Sequence, residues 1–379
     1  MTTPPPGQWP PPQPPRSGPP PEPQGHQSTW HRGQGEWGQQ HSDRRRPDNV
    51  GKWVLGGLAV LVIIVVTTLV TTLVLRGSDT RKDPTAAPLT SASPVKSDVA
   101  SAKDDGPVTV ITQDPTCEAW MSVVAGFAHA SDGGWNTRDP KIPATQWTSE
   151  LRNQYQAVEA AMLEASQRTI DLAKQTPHRV MRILYEQFAA YSRAYIDRLP
   201  SYREPDDHLV RVAIGFSTGL NAICDSIAFG VAGARAPLVP GASAPHGIDR
   251  DPRPEDAQIF LNSPSSICDQ WLSSAKRFTD DTAAWRTVDP NVSSADLNAD
   301  QRMINAEVAP IMEKFATETQ LMGLQSGNGA WADVATLSAQ YRRAYVSALL
   351  TYVPADNNLQ IAAGSLTGAI SEACRAAGY

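Results

Sequence analysis

Apolar residues recur at steps of three and four over most of the chain from residue 116 onward, which is the spacing of one face of an α-helix. The spacing is clearest over 147–165, 180–195 and 209–227, after a short opening helix around Trp120 and Phe127. The strict alternation typical of a half-buried strand is scarce. This part of the chain is therefore predicted to be all-α.

The helical pattern occurs twice. At an offset of 150–151 residues, 116–229 (repeat 1) aligns with 267–379 (repeat 2), and the aligned positions include Cys, Trp, Tyr and Asp-Pro pairs. Cys117-Glu-Ala-Trp120 matches Cys268-Asp-Gln-Trp271, for example. Each repeat is predicted to form a four-helix-bundle-like unit. Pro310 predicts a kink or a delayed start in the second helix of repeat 2.

All four cysteines lie in these repeats, one at the start of the first helix and one at the end of the fourth helix of each. In an up-down-up-down bundle those two points lie at the same end. We therefore predict the disulfides Cys117–Cys224 and Cys268–Cys374, one in each repeat. Paired cysteines are typical of an oxidising, extracytoplasmic compartment.

The N-terminal region has a different composition. Thirteen of the 32 prolines lie between Pro4 and Pro47, which predicts a disordered tail over 1–52. Residues 54–75 are 22 residues without a charge, and as a helix they would measure roughly 33 Å. With Trp53 as an interfacial anchor, 53–75 is predicted to be a transmembrane helix that contacts the lipid bilayer.

The flanking charges favour one orientation only weakly, with four basic residues before the span and three after it. The position of the cysteines decides the matter: the tail is predicted to be cytoplasmic and the repeats extracytoplasmic. Residues 76–115 are rich in Ser, Thr, Pro and Asp and are predicted to be a flexible tether; 230–266 are predicted to be a linker. Whether the two repeats pack together does not follow from these patterns.

Few residues point to catalysis. The formal net charge of −6 argues against a nucleic-acid partner, and the histidines after the span are scattered over different predicted elements, so neither a metal site nor a cofactor is expected. Glu150, Glu159 and Glu164 could serve as a general acid for glycan cleavage, but a solvated helix face explains them better. The chain is not expected to be an enzyme.

The duplicated motif Tyr-x-Arg-Ala-Tyr allows a structural interpretation. Arg193 and Arg343 lie beside a predicted core face, where an arginine usually pairs with a carboxylate. The duplicated Asp139 and Asp289 are the candidate partners, which predicts the ion pairs Arg193–Asp139 and Arg343–Asp289.

An alternative interpretation is that aromatic residues near this motif line a cleft for a sugar or peptide. The residues of this candidate cleft are Trp135, Trp285, Tyr191 and Tyr341. Because Trp and Tyr at helical spacing usually belong to a core, the core interpretation is preferred.

The order of Pro-rich head, apolar span, Ser/Thr/Pro tether and Cys-containing outer part resembles the proline-rich single-pass envelope membrane proteins of actinobacteria. That resemblance implies an accessory subunit of a membrane assembly, with a membrane or envelope protein as partner. We therefore expect a non-catalytic, membrane-anchored extracytoplasmic adaptor. The alternative is an extracytoplasmic module that binds a wall glycan, peptide or lipid.

Overall fold

The structure, a computed structural model, describes residues 98–244 and 252–379. The predicted tail (1–52), the predicted span (53–75) and residues 76–97 of the predicted tether lie outside the described residues. The described part is helical, and its one β-type pairing is an isolated antiparallel bridge between Val108 and Ala242. The prediction of an all-α class is confirmed.

The helices of the two repeats correspond in order and length. In repeat 1 they are α1 (Cys117–Ser131), α2 (Ser149–Gln175), α3 (Arg179–Arg198) and α4 (Asp207–Ala228), followed by the short α5 (Val231–Arg235). In repeat 2 they are α6 (Ile267–Asp281), α7 (Ala299–Gln325), α8 (Gly329–Ala348) and α9 (Asn357–Ala376). Helices α2 and α7 each have 27 residues, and α3 and α8 each have 20.

Side-chain caps set the start of the two long helices. The hydroxyl of Thr148 accepts from the Leu151 N–H, and the Asn298 side chain accepts from the Gln301 N–H. Such caps satisfy backbone donors that have no partner within the helix. Pro310 lies well inside α7, which begins at Ala299, so the predicted delayed start is wrong.

Both predicted disulfides are present. Cys117 pairs with Cys224 across a Cα–Cα distance of 5.4 Å, and Cys268 pairs with Cys374 across 5.5 Å. Each bridge joins the first helix of a repeat to its last helix, as the bundle topology predicts.

The two repeats pack together through α4 and α9. A Cβ added at Gly215 would lie 2.9 Å from the Cβ of Ala369, and one added at Gly219 would lie 2.8 Å from Leu366. Glycine thus permits a close approach of the two helices that a larger side chain would prevent. Buried residues of both repeats form one continuous hydrophobic core.

The segment before each repeat packs into the body, and we call these segments arm 1 (98–116) and arm 2 (252–266). Arm 1 buries Val108, Val110 and Ile111, and arm 2 buries Phe260 and Leu261. The prediction of a flexible tether is therefore wrong for 98–115. The predicted linker 230–266 is likewise folded where it is described. In both arms, apolar side chains lie in the common core, and their removal from water stabilises the folded arrangement.

Each arm reaches the other repeat. In arm 1, the Ile111 carbonyl accepts from the Tyr341 hydroxyl at 3.4 Å, and the Val108 carbonyl accepts from the Gln340 amide at 3.0 Å. In arm 2, the ring of Phe260 lies 5.7 Å from that of Tyr191. The duplicated tyrosines thus contact the arms, and the crossing of the arms ties the repeats to each other.

None of the helices between residues 98 and 379 is, where described, both long and apolar enough to span a bilayer by itself. The segments Glu204–Ala228 and Val231–Leu238 meet that requirement only jointly, and they are bent by 79° at the break between them.

Candidate functional site

The two predicted ion pairs are wrong, because each of the four residues has another partner. Arg193 donates to the Ala257 carbonyl in arm 2 at 2.9 Å, and Asp139 accepts from the Lys141 N–H. In repeat 2, Arg343 pairs with Glu313 and with the side chain of Gln320. Asp289 accepts from Asn291.

The aromatic residues of the candidate cleft belong mainly to the core. Trp135, Tyr191 and Tyr341 are buried, and Trp285 is half-buried. Trp135 packs edge-on against Tyr195 at 6.4 Å, and Trp285 contacts Tyr345 in the same way at 5.8 Å. The arms cover Tyr191 and Tyr341, so the four residues do not line an open cleft.

Repeat 1 contains a buried polar cluster that the sequence patterns did not reveal. The guanidinium of Arg138 lies 3.4 Å above the ring of Trp135 and binds the carboxylate of Asp207. Asp207 also accepts from Arg211 at 2.7 Å and from the hydroxyl of Tyr202 at 3.2 Å. Such a shared carboxylate compensates for the burial of the Arg138 guanidinium.

Aromatic rings enclose this cluster. The ring of Trp147 stacks on Tyr155 with 3.8 Å between centroids, and Tyr202 lies 5.4 Å from Tyr155. Burial raises the pKa of the Tyr155, Tyr195 and Tyr202 hydroxyls, so these groups remain neutral at physiological pH.

The cluster is specific to repeat 1. At the 150-residue offset, Val288 stands in place of Arg138, and Asn357 stands in place of Asp207. Duplicated positions pointed to Asp139, which is the neighbour of the arginine that forms the buried pair. The pair itself was missed because neither of its members is duplicated.

The buried pair gives a pH-dependent prediction for Asp207. Burial alone would raise its pKa, but the guanidinium groups of Arg138 and Arg211 outweigh that effect and lower it. A lowered pKa in the folded state contributes stability above the unfolded value of about 4, and this contribution is lost as the pH falls through the folded value. We expect Asp207→Asn to reduce the free energy of unfolding by about 1.5–3 kcal/mol at pH 7.

The difference between Asp207→Asn and the unchanged chain should shrink in acid, as urea unfolding curves between pH 7 and pH 3 would show. Asp139→Asn is the matched control, because Asp139 is exposed and bonds locally. A difference that stays constant over this pH range would contradict an ionised, paired Asp207.

Polar contacts also join repeat 1 and α5 to repeat 2. Arg179 binds Asp333 through Nε at 2.9 Å and through Nη2 at 3.1 Å. The His208 ring lies 2.7 Å from the Glu372 carboxylate, and Arg235 of α5 binds the buried Asp356 at 2.8 Å. These contacts fix how the two repeats lie against each other.

Exposed apolar side chains form two groups on the described surface. On α7, Leu321 and Leu324 are exposed one turn apart, where repeat 1 has Asp171 and Lys174. The second group lies where α5 meets the turn between α8 and α9. It consists of Phe229, Leu238, Leu350 and Val353, and we call it the junction patch.

Within the described ranges, no group of three or more His, Cys, Asp or Glu side chains is suited to hold a metal ion. The features that remain as candidate sites are therefore the exposed apolar surfaces. Such surfaces in folded proteins often mark contacts with other proteins or with membranes.

Comparisons with known proteins place this arrangement in a family. An uncharacterised protein of Mycolicibacterium smegmatis (strain MKD8) is 41% identical over 377 residues, which cover 100% of this chain and 97% of the relative. No solved structure matches the chain significantly. The family model described as "Mycobacterial ESX-1 associated protein" matches residues 99–378, which run from the second residue of arm 1 to the second-last residue of repeat 2. The chain therefore belongs to the mycobacterial ESX-1 associated protein family.

Proposed function

We propose that this protein is a non-catalytic accessory subunit of the ESX-1 secretion system, anchored in the membrane by 53–75 and carrying its double helical repeat outside the cytoplasm. The observation that carries the proposal is the family match over 99–378, since the matched region is the folded body itself. The alignment with the relative covers the full length of this chain, including the regions of the Pro-rich head and the apolar span.

The construction of the body suits an adaptor. The crossing arms, one disulfide in each repeat and the buried Arg179–Asp333 pair hold two bundles as one unit. A unit held in this way presents its surfaces in a fixed relation, which lowers the entropy that a partner must remove on binding. The disulfides also support an extracytoplasmic location, because they persist in oxidising compartments.

The exposed leucines of α7 are the surface that we assign to a protein partner. Leu321 is 51% exposed and Leu324 is 43% exposed, and they lie three positions apart on the same face of the helix. The corresponding residues of repeat 1 are charged, so the fold does not require leucine here. The fully buried centre of a protein interface is more apolar than its rim, so two exposed leucines suit that position.

The test is crosslinking in cells, followed by affinity purification of the full-length chain in mild detergent and mass spectrometry. We expect the unchanged chain to recover a subunit of the ESX-1 system. The double variant Leu321→Asp/Leu324→Lys introduces the residues of repeat 1, and it should recover much less of that subunit. Both replaced positions are exposed, so the change in stability should stay within about 0.5 kcal/mol.

The matched control is Leu163→Glu on α2. Leu163 is an exposed leucine of repeat 1, and Glu is the residue at its counterpart, Glu313. This variant should recover the partner as the unchanged chain does. Recovery of the unchanged chain without any secretion subunit would contradict the adaptor proposal and would favour a module that binds a glycan, peptide or lipid.

A further inference from the structure

The junction patch is strongly exposed to solvent. Leu350 is 90% exposed, Leu238 is 57% exposed and Phe229 is 50% exposed. Arg235 holds the turn between α8 and α9 against α5 by binding the Thr351 hydroxyl at 2.8 Å and the Thr351 carbonyl at 3.1 Å. The backbone of this turn is therefore fixed while its apolar side chains point outward.

The turn itself does not require these apolar residues. The corresponding turn of repeat 1 has the same local bonds: Asp206 accepts from the Arg203 N–H at 2.8 Å, and Asp356 accepts from the Val353 N–H at 3.0 Å. Repeat 1 nevertheless has Pro200 where repeat 2 has Leu350, and Arg203 at the counterpart of Val353. The two turns thus share the same local hydrogen bond, but only the turn of repeat 2 exposes large apolar side chains to water.

The chain enters the body at the end of repeat 1 that carries part of this patch. Ala100 donates to the Lys174 carbonyl in the last turn of α2. The Thr176 hydroxyl, just after α2, donates to Asp114 near the end of arm 1. Asp114 is three residues before Cys117, whose disulfide joins α1 to the end of α4. Phe229 directly follows α4. Arm 1 and the patch therefore lie at a common end.

We infer that the junction patch rests on the outer surface of the lipid bilayer that anchors the chain. The inference depends on the proposed membrane anchor. Between the predicted span and Asp98 lie residues 76–97, which reach at most about 75 Å when fully extended. The described body is thus held near the membrane, and its end with the chain entry is the one best placed to face it.

A lipid surface fits the shape and chemistry of the patch. Exposed apolar side chains on a turn can enter the boundary between headgroups and acyl chains without a complementary pocket. The anchor raises the effective concentration of the patch at the bilayer, so a weak contact suffices to orient the body. In this orientation, repeat 2 contributes Leu350 and Val353 to the contact, whereas the turn of repeat 1 contributes nothing.

The test uses the full-length chain with Leu350→Cys carrying an environment-sensitive fluorophore. The chain is reconstituted into vesicles of phosphatidylcholine and phosphatidylglycerol at 3:1. The control is Pro200→Cys, which places the same label on the matched turn of repeat 1. All four native cysteines are in disulfides, so the introduced thiol is labelled selectively. We expect quenching by doxyl-labelled lipids to be several-fold stronger at 350 than at 200.

Separate outcomes distinguish failure of the inference from failure of the anchor. If the chain floats with vesicles and resists alkaline carbonate but both labels are quenched equally, the anchor stands and the inference is overturned. The label at 350 could instead be buried increasingly as more protein is added per vesicle, without quenching by lipid. That result would assign the patch to a contact with a second copy of the chain and would also overturn the inference. A chain that does not float overturns both proposals. Adding Leu238→Glu should reduce the quenching at 350 if the contact is apolar.

Discussion

Replacing Arg179 by methionine should lower the free energy of unfolding by about 3–5 kcal/mol, because it leaves the carboxylate of Asp333 buried without its partner. Both side chains are only 2% exposed. The same guanidinium also donates to the backbone carbonyl of Asp104 at 2.6 Å, and the Arg179 N–H donates to the Asp104 carboxylate at 2.6 Å. Arg179 is therefore the point at which arm 1, repeat 1 and repeat 2 meet.

This loss of stability can be measured by urea unfolding of the full chain in mild detergent, with tryptophan fluorescence as the signal. Arg343→Met on α8 is the control, since its ion pair with Glu313 is long (3.7 Å) and Glu313 is 46% exposed; we expect this variant to cost less than about 1 kcal/mol. The double variant Arg179→Met/Asp333→Leu should recover much of the stability, because it removes both charges. A cost for Arg179→Met as small as that of the control would show that the repeats do not depend on this pair.

The pH adds a second readout for Asp333. Burial already raises its pKa, even though Arg179 opposes that effect. Without the guanidinium the folded pKa should rise further above the unfolded value of about 4. For a carboxyl raised in this way, stability is retained at low pH and is lost as the pH rises, so the cost of Arg179→Met should be larger at pH 7 than at pH 4.

Removing either disulfide should cost about 2–5 kcal/mol. The bridges close segments of nearly equal length, with sequence separations of 107 and 106 residues. In the chain-entropy account, a closed loop of about 100 residues contributes up to about 4.7 kcal/mol by restricting the unfolded chain. Cys117→Ser/Cys224→Ser and Cys268→Ser/Cys374→Ser should therefore be destabilised by similar amounts.

Thermal or urea unfolding with and without a reductant gives the comparison. Reduction should bring the unchanged chain close to the level of a chain without either bridge, and should add nothing once both bridges are removed. A serine pair that unfolds at the same urea concentration as the unchanged chain would contradict a stabilising role for that bridge. A large difference between the two pairs would contradict the chain-entropy account, in which loops of nearly equal length contribute equally.

The sequence was most informative where the signal is local or repeated. The spacing of apolar residues predicted the helices, and the helix order placed the cysteines of each repeat at one end, which led to the correct pairing. The bonded partners of charged side chains were not accessible in this way. The duplication of Arg193 and Asp139 predicts a pair between them, whereas Arg193 binds a backbone carbonyl, that of Ala257.

The arms show the same limit. Val108, Val110 and Ile111 lie in a segment without helical periodicity, and they span only four positions within a polar, Ser- and Asp-rich stretch. They are buried because the other repeat offers them an apolar surface, which exists only after both bundles have formed.

Helix type, internal duplication and disulfide pairing were thus determined by the sequence itself, because they depend on residues a few positions apart and on a pattern that occurs twice. The docking of α4 on α9, the crossing of the arms and the exposed end formed by the junction patch were decided by the tertiary structure alone. The pair Arg179–Asp333 shows the reason: its members are 154 positions apart, and only the packing of two folded repeats brings their charges together in a buried site where each must have a partner.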